Sequence, residues 1–154
     1  MTYSILLIAH SWLRWVVLAA ALLAFVRSAA ARSGARGWSR ADDRFGHVFV
    51  SLLDLQMLLG LILYFFASPL LATIRQHLSE AMRDDSMRYW FLEHPFGMLI
   101  AIALAHVGRA RIKKAGDPRR KHRLAMIFFG LALVAIVVSL PWPGMTTGRP
   151  LIRF

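Results

Sequence analysis

The chain contains no cysteine among its 154 residues. This absence excludes disulfide bonds, thiolate metal sites, iron–sulfur clusters and a c-type haem attached through cysteine. Acidic residues are also scarce, with 8 Asp and Glu against 19 Lys and Arg and a net charge of +11. A proton or metal-ion transporter needs more buried acids than Asp54 alone, so the shortage of acids disfavours that class.

The composition is apolar as well as basic. Hydrophobic residues make up 58% of the chain, and the mean hydropathy is +0.54, which is too apolar for an ordinary soluble domain of this length. A basic soluble protein would suggest nucleic-acid binding, but here the basic residues cluster between apolar segments, where they set membrane orientation. The composition therefore predicts one integral membrane domain over residues 1–154, with no nucleic-acid partner.

Four apolar stretches are long enough, or nearly so, to form helices that cross a membrane. A hydrocarbon core of about 30 Å needs roughly 20 helical residues. The predicted helices run from about Ser4 to Val26, Gly46 to Ala67, Tyr89 to Ile112 and Leu124 to Leu140. Pro141 and Pro143 end the last of them, because proline cannot continue the hydrogen-bond ladder. The predicted fold class is an all-α integral membrane four-helix bundle.

The loops between these helices differ in charge. The first and third loops are strongly basic, whereas the second balances Arg75, Arg83 and Arg88 against four acidic residues. Positive loops stay in the cytoplasm, so both termini are predicted on the periplasmic side of a bacterial inner membrane. In the second loop, apolar residues recur at helical spacing after Pro69, which predicts a short amphipathic helix that lies on the outer membrane surface or caps the bundle.

Two histidines lie at nearly the same predicted depth. His10 is about 9 Å into the first helix and His94 about 7–8 Å into the third, at a rise of about 1.5 Å per residue. Because both helices enter from the same side, one imidazole would lie on each side of a haem iron held between them. The alternative interpretation is that these histidines bond to the backbone or to Glu93 and hold the bundle together.

Three further histidines lie toward the cytoplasmic side. His106 is about two turns before the end of the third helix, His47 opens the second, and His122 precedes the fourth. His106 with His47 or His122 is a candidate pair for a second haem. The alternative for His47 and His122 is a solvated helix end. His94 and His106 also differ by about 120° around the helix, which disfavours two haems stacked on one face.

Arg14 is the most costly residue of the predicted bundle. It lies about 15 Å deep, so it should face inward and be paired. Asp54 is the acid at comparable depth, which predicts an Arg14–Asp54 ion pair between the first two helices. This pair either fixes helix register or leaves Arg14 facing a haem propionate or a quinone. His47, Ser51 and Asp54 form a stripe that either lines a proton route or makes interhelical hydrogen bonds.

Several stretches resemble small bacterial membrane proteins described as cytochrome b-like. They are HSWLRW at 10–15, LDLQMLLGLILYF at 53–65, EHPFGMLIAIALAHVGRA at 93–110 and KHRLAMIFFGLAL at 121–133. The resemblance implies a role for haem b, with His10, His94 and His106 as the positions most similar to ligands.

Two functions remain open from the sequence. The first is a haem b electron-transfer subunit of a larger respiratory or photosynthetic complex, exchanging electrons with a quinol or another subunit and having no reaction site of its own. The second is a cofactor-free accessory subunit, in which the histidines and the Arg14–Asp54 pair hold helices together and the basic loops bind anionic lipids.

Overall fold

The computed structural model describes residues 2–31 and 36–150, and within these ranges the chain folds into helices without strands. Four segments are long and apolar enough to cross a membrane, which confirms the predicted class: Thr2–Ala30, Arg40–Ala67, Asp85–Lys114 and Pro118–Val138. The elements are α1 (Thr2–Ala30), α2 (Arg40–Ile62), α3 (Pro69–Gln76), α4 (Leu78–Ala81), α5 (Asp85–Arg88), α6 (His94–Lys114) and α7 (Pro118–Val138). Two π-helical turns, Leu63–Ala67 and Tyr89–Glu93, continue α2 and precede α6.

Two helices begin one to two turns earlier than predicted. Ser39 caps α2, accepting a hydrogen bond from the Asp42 N–H at 3.2 Å, while the Asp42 carboxylate accepts one from the Ser39 N–H at 2.9 Å. This reciprocal capping box stabilises a helix start well before the apolar residues begin. Asp117 caps α7 in a similar way, and Pro118 takes its first position.

Small residues bring α6 and α7 into the closest contact of the bundle. Ala101 and Ala105 of α6 are fully buried, and Gly97 and Gly108 flank them on the same face. A Cβ atom at Gly97 would overlap the Ser139 side chain, so the close approach of the two backbones depends on glycine. Such small-residue faces are the usual means of tight helix packing in membranes.

The four long helices form a ring in the order α1, α2, α6, α7. Phe49 of α2 and Phe129 of α7 meet edge to face in the core, with ring centroids 5.4 Å apart. α1 packs well on both neighbours, whereas α2 and α6 are only loosely packed against each other. We call the end where α1 begins and α7 ends the terminal end, and the end with the two arginine-rich loops the basic end.

The predicted amphipathic helix between the second and third spans is instead three short helices, α3 to α5. The helix breaks at His77, whose φ of −127° and ψ of 49° are not helical, and α5 restarts with Asp84 as its cap. Leu71, Ile74 and Ala81 are buried in a small cluster against aromatic residues of the two π-helical turns. The expected apolar face therefore exists, and it packs on the bundle, which was one of its two predicted placements.

Candidate cofactor site

A cavity of about 460 Å³ lies in the half of the bundle nearest the terminal end. Its volume falls within the roughly 300–1,000 Å³ that is typical of ligand and cofactor sites. Residues of α1, α2, α6 and the segment after α7 line it, and most of them are apolar. Its titratable and amide side chains include His10, Arg14, Gln56, His94 and Arg149. Both histidines of the predicted pair therefore border a single cavity.

The orientation of His94 is fixed by a backbone carbonyl. Its Nδ1 lies 2.8 Å from the carbonyl oxygen of Ser139. Because a carbonyl only accepts hydrogen bonds, Nδ1 must carry the proton, and in the neutral ring Nε2 then holds the lone pair. The Tyr89 hydroxyl donates to the same carbonyl oxygen, also at 2.8 Å. Histidines that bind metals commonly donate their second ring nitrogen to a carbonyl in this way.

The fold supplies that carbonyl at the end of α7. Ser139 is the C-cap residue of α7, where carbonyl groups have no partner within the helix. Gly97, one turn after His94, lets Ser139 approach α6 closely. Sequence reasoning missed Tyr89 and Ser139 because the contact joins residues 45 and 50 positions apart.

His10 faces the cavity from the other side, on α1. Its ring lies against Gly60 of α2, where a Cβ atom would come within 3.3 Å of His10 Cε1. The Gln56 amide donates to the His10 carbonyl oxygen at 3.0 Å and so ties α2 to α1 at this level. Within the described part of the chain, His10 Nδ1 and Gln56 Oε1 are buried polar atoms without a hydrogen-bond partner. Such orphaned atoms are uncommon, and a polar group of a bound ligand would satisfy them.

Two arginines also line the cavity. Arg14 lies one turn after His10, with its guanidinium carbon 5.1 Å from the centre of the Trp15 ring. Arg149 belongs to the segment after α7 and lies 5.2 Å from the centre of the Trp90 ring. The Arg149 N–H donates to the Pro141 carbonyl oxygen at 3.2 Å, which folds this segment back over the bundle. The sequence analysis missed Arg149, although a basic residue after the last span was a usable signal.

Asp54 has a partner on α6 that the sequence did not predict. His106 Nε2 lies 2.7 Å from Asp54 Oδ1. The contact of Asp54 with Arg14 stays a prediction. Depth along a helix does not fix direction around it. Gln56 lies two residues further on, about 200° around the helix, and it is Gln56 that points to α1.

The histidines at the basic end differ in burial and in their neighbours. His122 is fully buried, with its ring centroid 4.9 Å from that of Trp38, whereas His47 is exposed on α2. No hydrogen bond or ring contact joins His106 to either of them within the described ranges. The expectation of a solvated His122 was wrong because α7 begins at Pro118, which places His122 a turn inside the helix and on its core face.

Residues 2–31 and 36–150 contain no group of three or more His, Asp or Glu arranged to hold a metal ion. Comparison with protein-family models, with curated proteins and with solved structures gives no match.

Proposed function

We propose that this chain is an electron-transfer protein of the bacterial inner membrane that binds a b-type haem between His10 and His94. The bond from His94 Nδ1 to the Ser139 carbonyl oxygen carries the proposal, because it leaves Nε2 as the ligating nitrogen of a ring that lines the cavity. His10 supplies a second buried imidazole from another helix. The chain would act as a subunit of a larger respiratory or photosynthetic complex.

The residues of the cavity fit a haem. Two imidazoles, from α1 and α6, would supply ligand nitrogens for the iron, and apolar side chains would surround the macrocycle. Arg14 and Arg149 are suited to the two propionates, because guanidinium groups bind carboxylates in a fixed geometry. When bound, haem supplies one-electron redox chemistry. The chain holds the ligand nitrogens, balances the carboxylate charge and excludes water.

The surroundings of the cavity support exchange of electrons within the membrane. The cavity is lined by side chains that are also exposed at the surface: Leu61 of α2, Phe65 of the π-helical turn that follows it, and Phe96 and Leu99 of α6. Its rim therefore opens to the bilayer between these elements. A quinol or a neighbouring membrane subunit is the redox partner that this rim suits. The arginine-rich loops at the basic end favour a cytoplasmic location for that end and periplasmic termini.

The second candidate is a cofactor-free accessory subunit that stabilises a complex or binds anionic lipid. The contacts of Asp54 with His106 and of Arg109 with Asp43 favour it, because these polar bonds join α2 to α6 without any ligand. The basic loops would then bind lipid headgroups.

A reduced-minus-oxidised difference spectrum of the purified protein separates the two functions. We expect an α-band of the b type and a single haem per chain by the pyridine haemochrome method. Protein from a host with ample haem that shows no such band would overturn the haem proposal and leave the accessory function.

Replacing Gly60 by leucine tests whether the haem lies beside His10. The new side chain would enter the space next to the His10 ring, where even a Cβ atom is within 3.3 Å of Cε1. Overpacking costs about 1–3 kcal/mol, so we expect haem affinity to fall by roughly 5- to 150-fold in a titration of the apoprotein. Gly116→Leu is the control, because nothing lies within 4 Å of that position. Equal affinities in the two variants would place haem elsewhere.

A further inference from the structure

The face formed by α2 and α6 carries an acid and a histidine in contact. The Asp54 carboxylate and the His106 imidazole lie 2.7 Å apart, and their side chains are 46% and 53% exposed. Neither residue lines the cavity described above. The pair is thus presented to the outside of the single chain.

This exposed pair lies deep in the membrane. Asp54 is at the middle of the span Arg40–Ala67, whose 28 residues put it roughly 20 Å from either end. His106 lies about 12 Å from Lys114, the last residue of its span. Ionisable side chains at such depth normally face a bundle interior or water, because contact with lipid is costly. A second polar surface that covers the pair would remove this cost.

The same face has a second polar contact nearer the basic end. Arg109 of α6 donates to Asp43 of α2 at 2.8 Å, and Ser51 is exposed between the two ion pairs. Toward the terminal end the α2 side of this face becomes apolar, with Leu58 and Leu61 exposed. The face thus combines polar pairs with apolar side chains, as buried interfaces between membrane helices do.

We propose that a second copy of this chain covers the α2–α6 face in a twofold symmetric dimer. Asp54 and His106 form a complementary acid and base on one surface, so the surface is complementary to itself. A twofold axis along the membrane normal keeps depth unchanged and brings Asp54 of one protomer opposite His106 of the other. A partner of different sequence would need its own acid and base at the depth of Asp54 and His106. A second copy of this chain carries both residues at that depth. The inference does not depend on haem binding.

Single cysteines test the dimer directly, since the natural chain has none. Ser51→Cys and Leu58→Cys place a thiol on the α2–α6 face while keeping the Asp54–His106 pair. Val134→Cys is the matched control, because Val134 is 58% exposed on α7, across the ring from α2. Two differently tagged copies are co-expressed, and the membranes are oxidised before solubilisation. We expect an adduct carrying both tags with Ser51→Cys or Leu58→Cys, and none with Val134→Cys.

The mass of the unmodified protein in lipid nanodiscs gives an independent result. We expect a dimer. We expect Asp54→Ala to raise its dissociation constant by roughly tenfold or more, because in a twofold dimer the substitution removes two contacts between the protomers. A monomeric wild-type protein with no adduct from either face position would overturn the proposal. So would an adduct of a different mass that carries only one tag, because another protein would then occupy the face.

Discussion

The His94→Ala variant is expected to lose at least about nine-tenths of its bound haem. Without cysteine, the chain can hold a b-type haem only through axial bonds and packing. Loss of a group that merely orients a metal ligand typically costs 10- to 100-fold in affinity, so loss of the ligand itself should cost roughly that or more. His10→Ala should have the same effect, because His10 would supply the other axial bond. The ratio of haem to protein measures both.

The exposed histidines supply the matched controls. His77, in the break between α3 and α4, is 58% exposed and lies outside the cavity. His77→Ala should therefore keep the full haem content, and so should His47→Ala. Circular dichroism should show the same helix content in all four variants. A His94→Ala protein with an unchanged spectrum would exclude this residue as a ligand, and equal losses in all four would point to a general effect on folding.

Hydropathy predicted the membrane spans well because the length of an apolar stretch must match the thickness of a bilayer. It placed the starts of α2 and α7 too late, since both helices extend beyond their apolar stretches. Ser39 and Asp117 begin these helices by capping free backbone N–H groups, a local signal that is independent of lipid contact. The early start of α7 also explains why His122 is buried.

The depth of the site residues along their helices was predictable, but the direction of each side chain around its helix axis was not. Counting residues placed His10 and His94 at one level, and both line the cavity. It did not predict the contact of Asp54 with His106. Direction around a helix depends on which neighbours pack most closely, and here close packing follows from glycines such as Gly97. Contacts between distant positions of the chain carry no local signal that periodicity can reveal.

Asp42→Ala is expected to lower the free energy of unfolding by about 2–3 kcal/mol. The Asp42 side chain is 1% exposed and accepts hydrogen bonds from Arg27 at 3.1 Å, from Arg36 at 2.6 Å and from Ser39 Oγ at 2.6 Å. The hydrogen bond to the Asp42 carboxylate raises the pKa of the Arg36 guanidinium, which stays charged. Removing a buried partner of charged groups costs about 3–5 kcal/mol, but the two arginines remain partly hydrated, which reduces the loss.

The neighbouring acid provides the control for this effect. Asp43 has a 55% exposed side chain and a single ion pair, with Arg109, so Asp43→Ala should cost no more than about 1 kcal/mol. For a chain of this size, Asp42→Ala should lower the melting temperature in detergent by roughly 4–12 °C. Below that temperature its haem content should be normal, because Asp42 lies at the basic end and the cavity near the terminal end. Equal melting temperatures for the two variants would mean that the carboxylate of Asp42 does not fix the start of α2 against the end of α1.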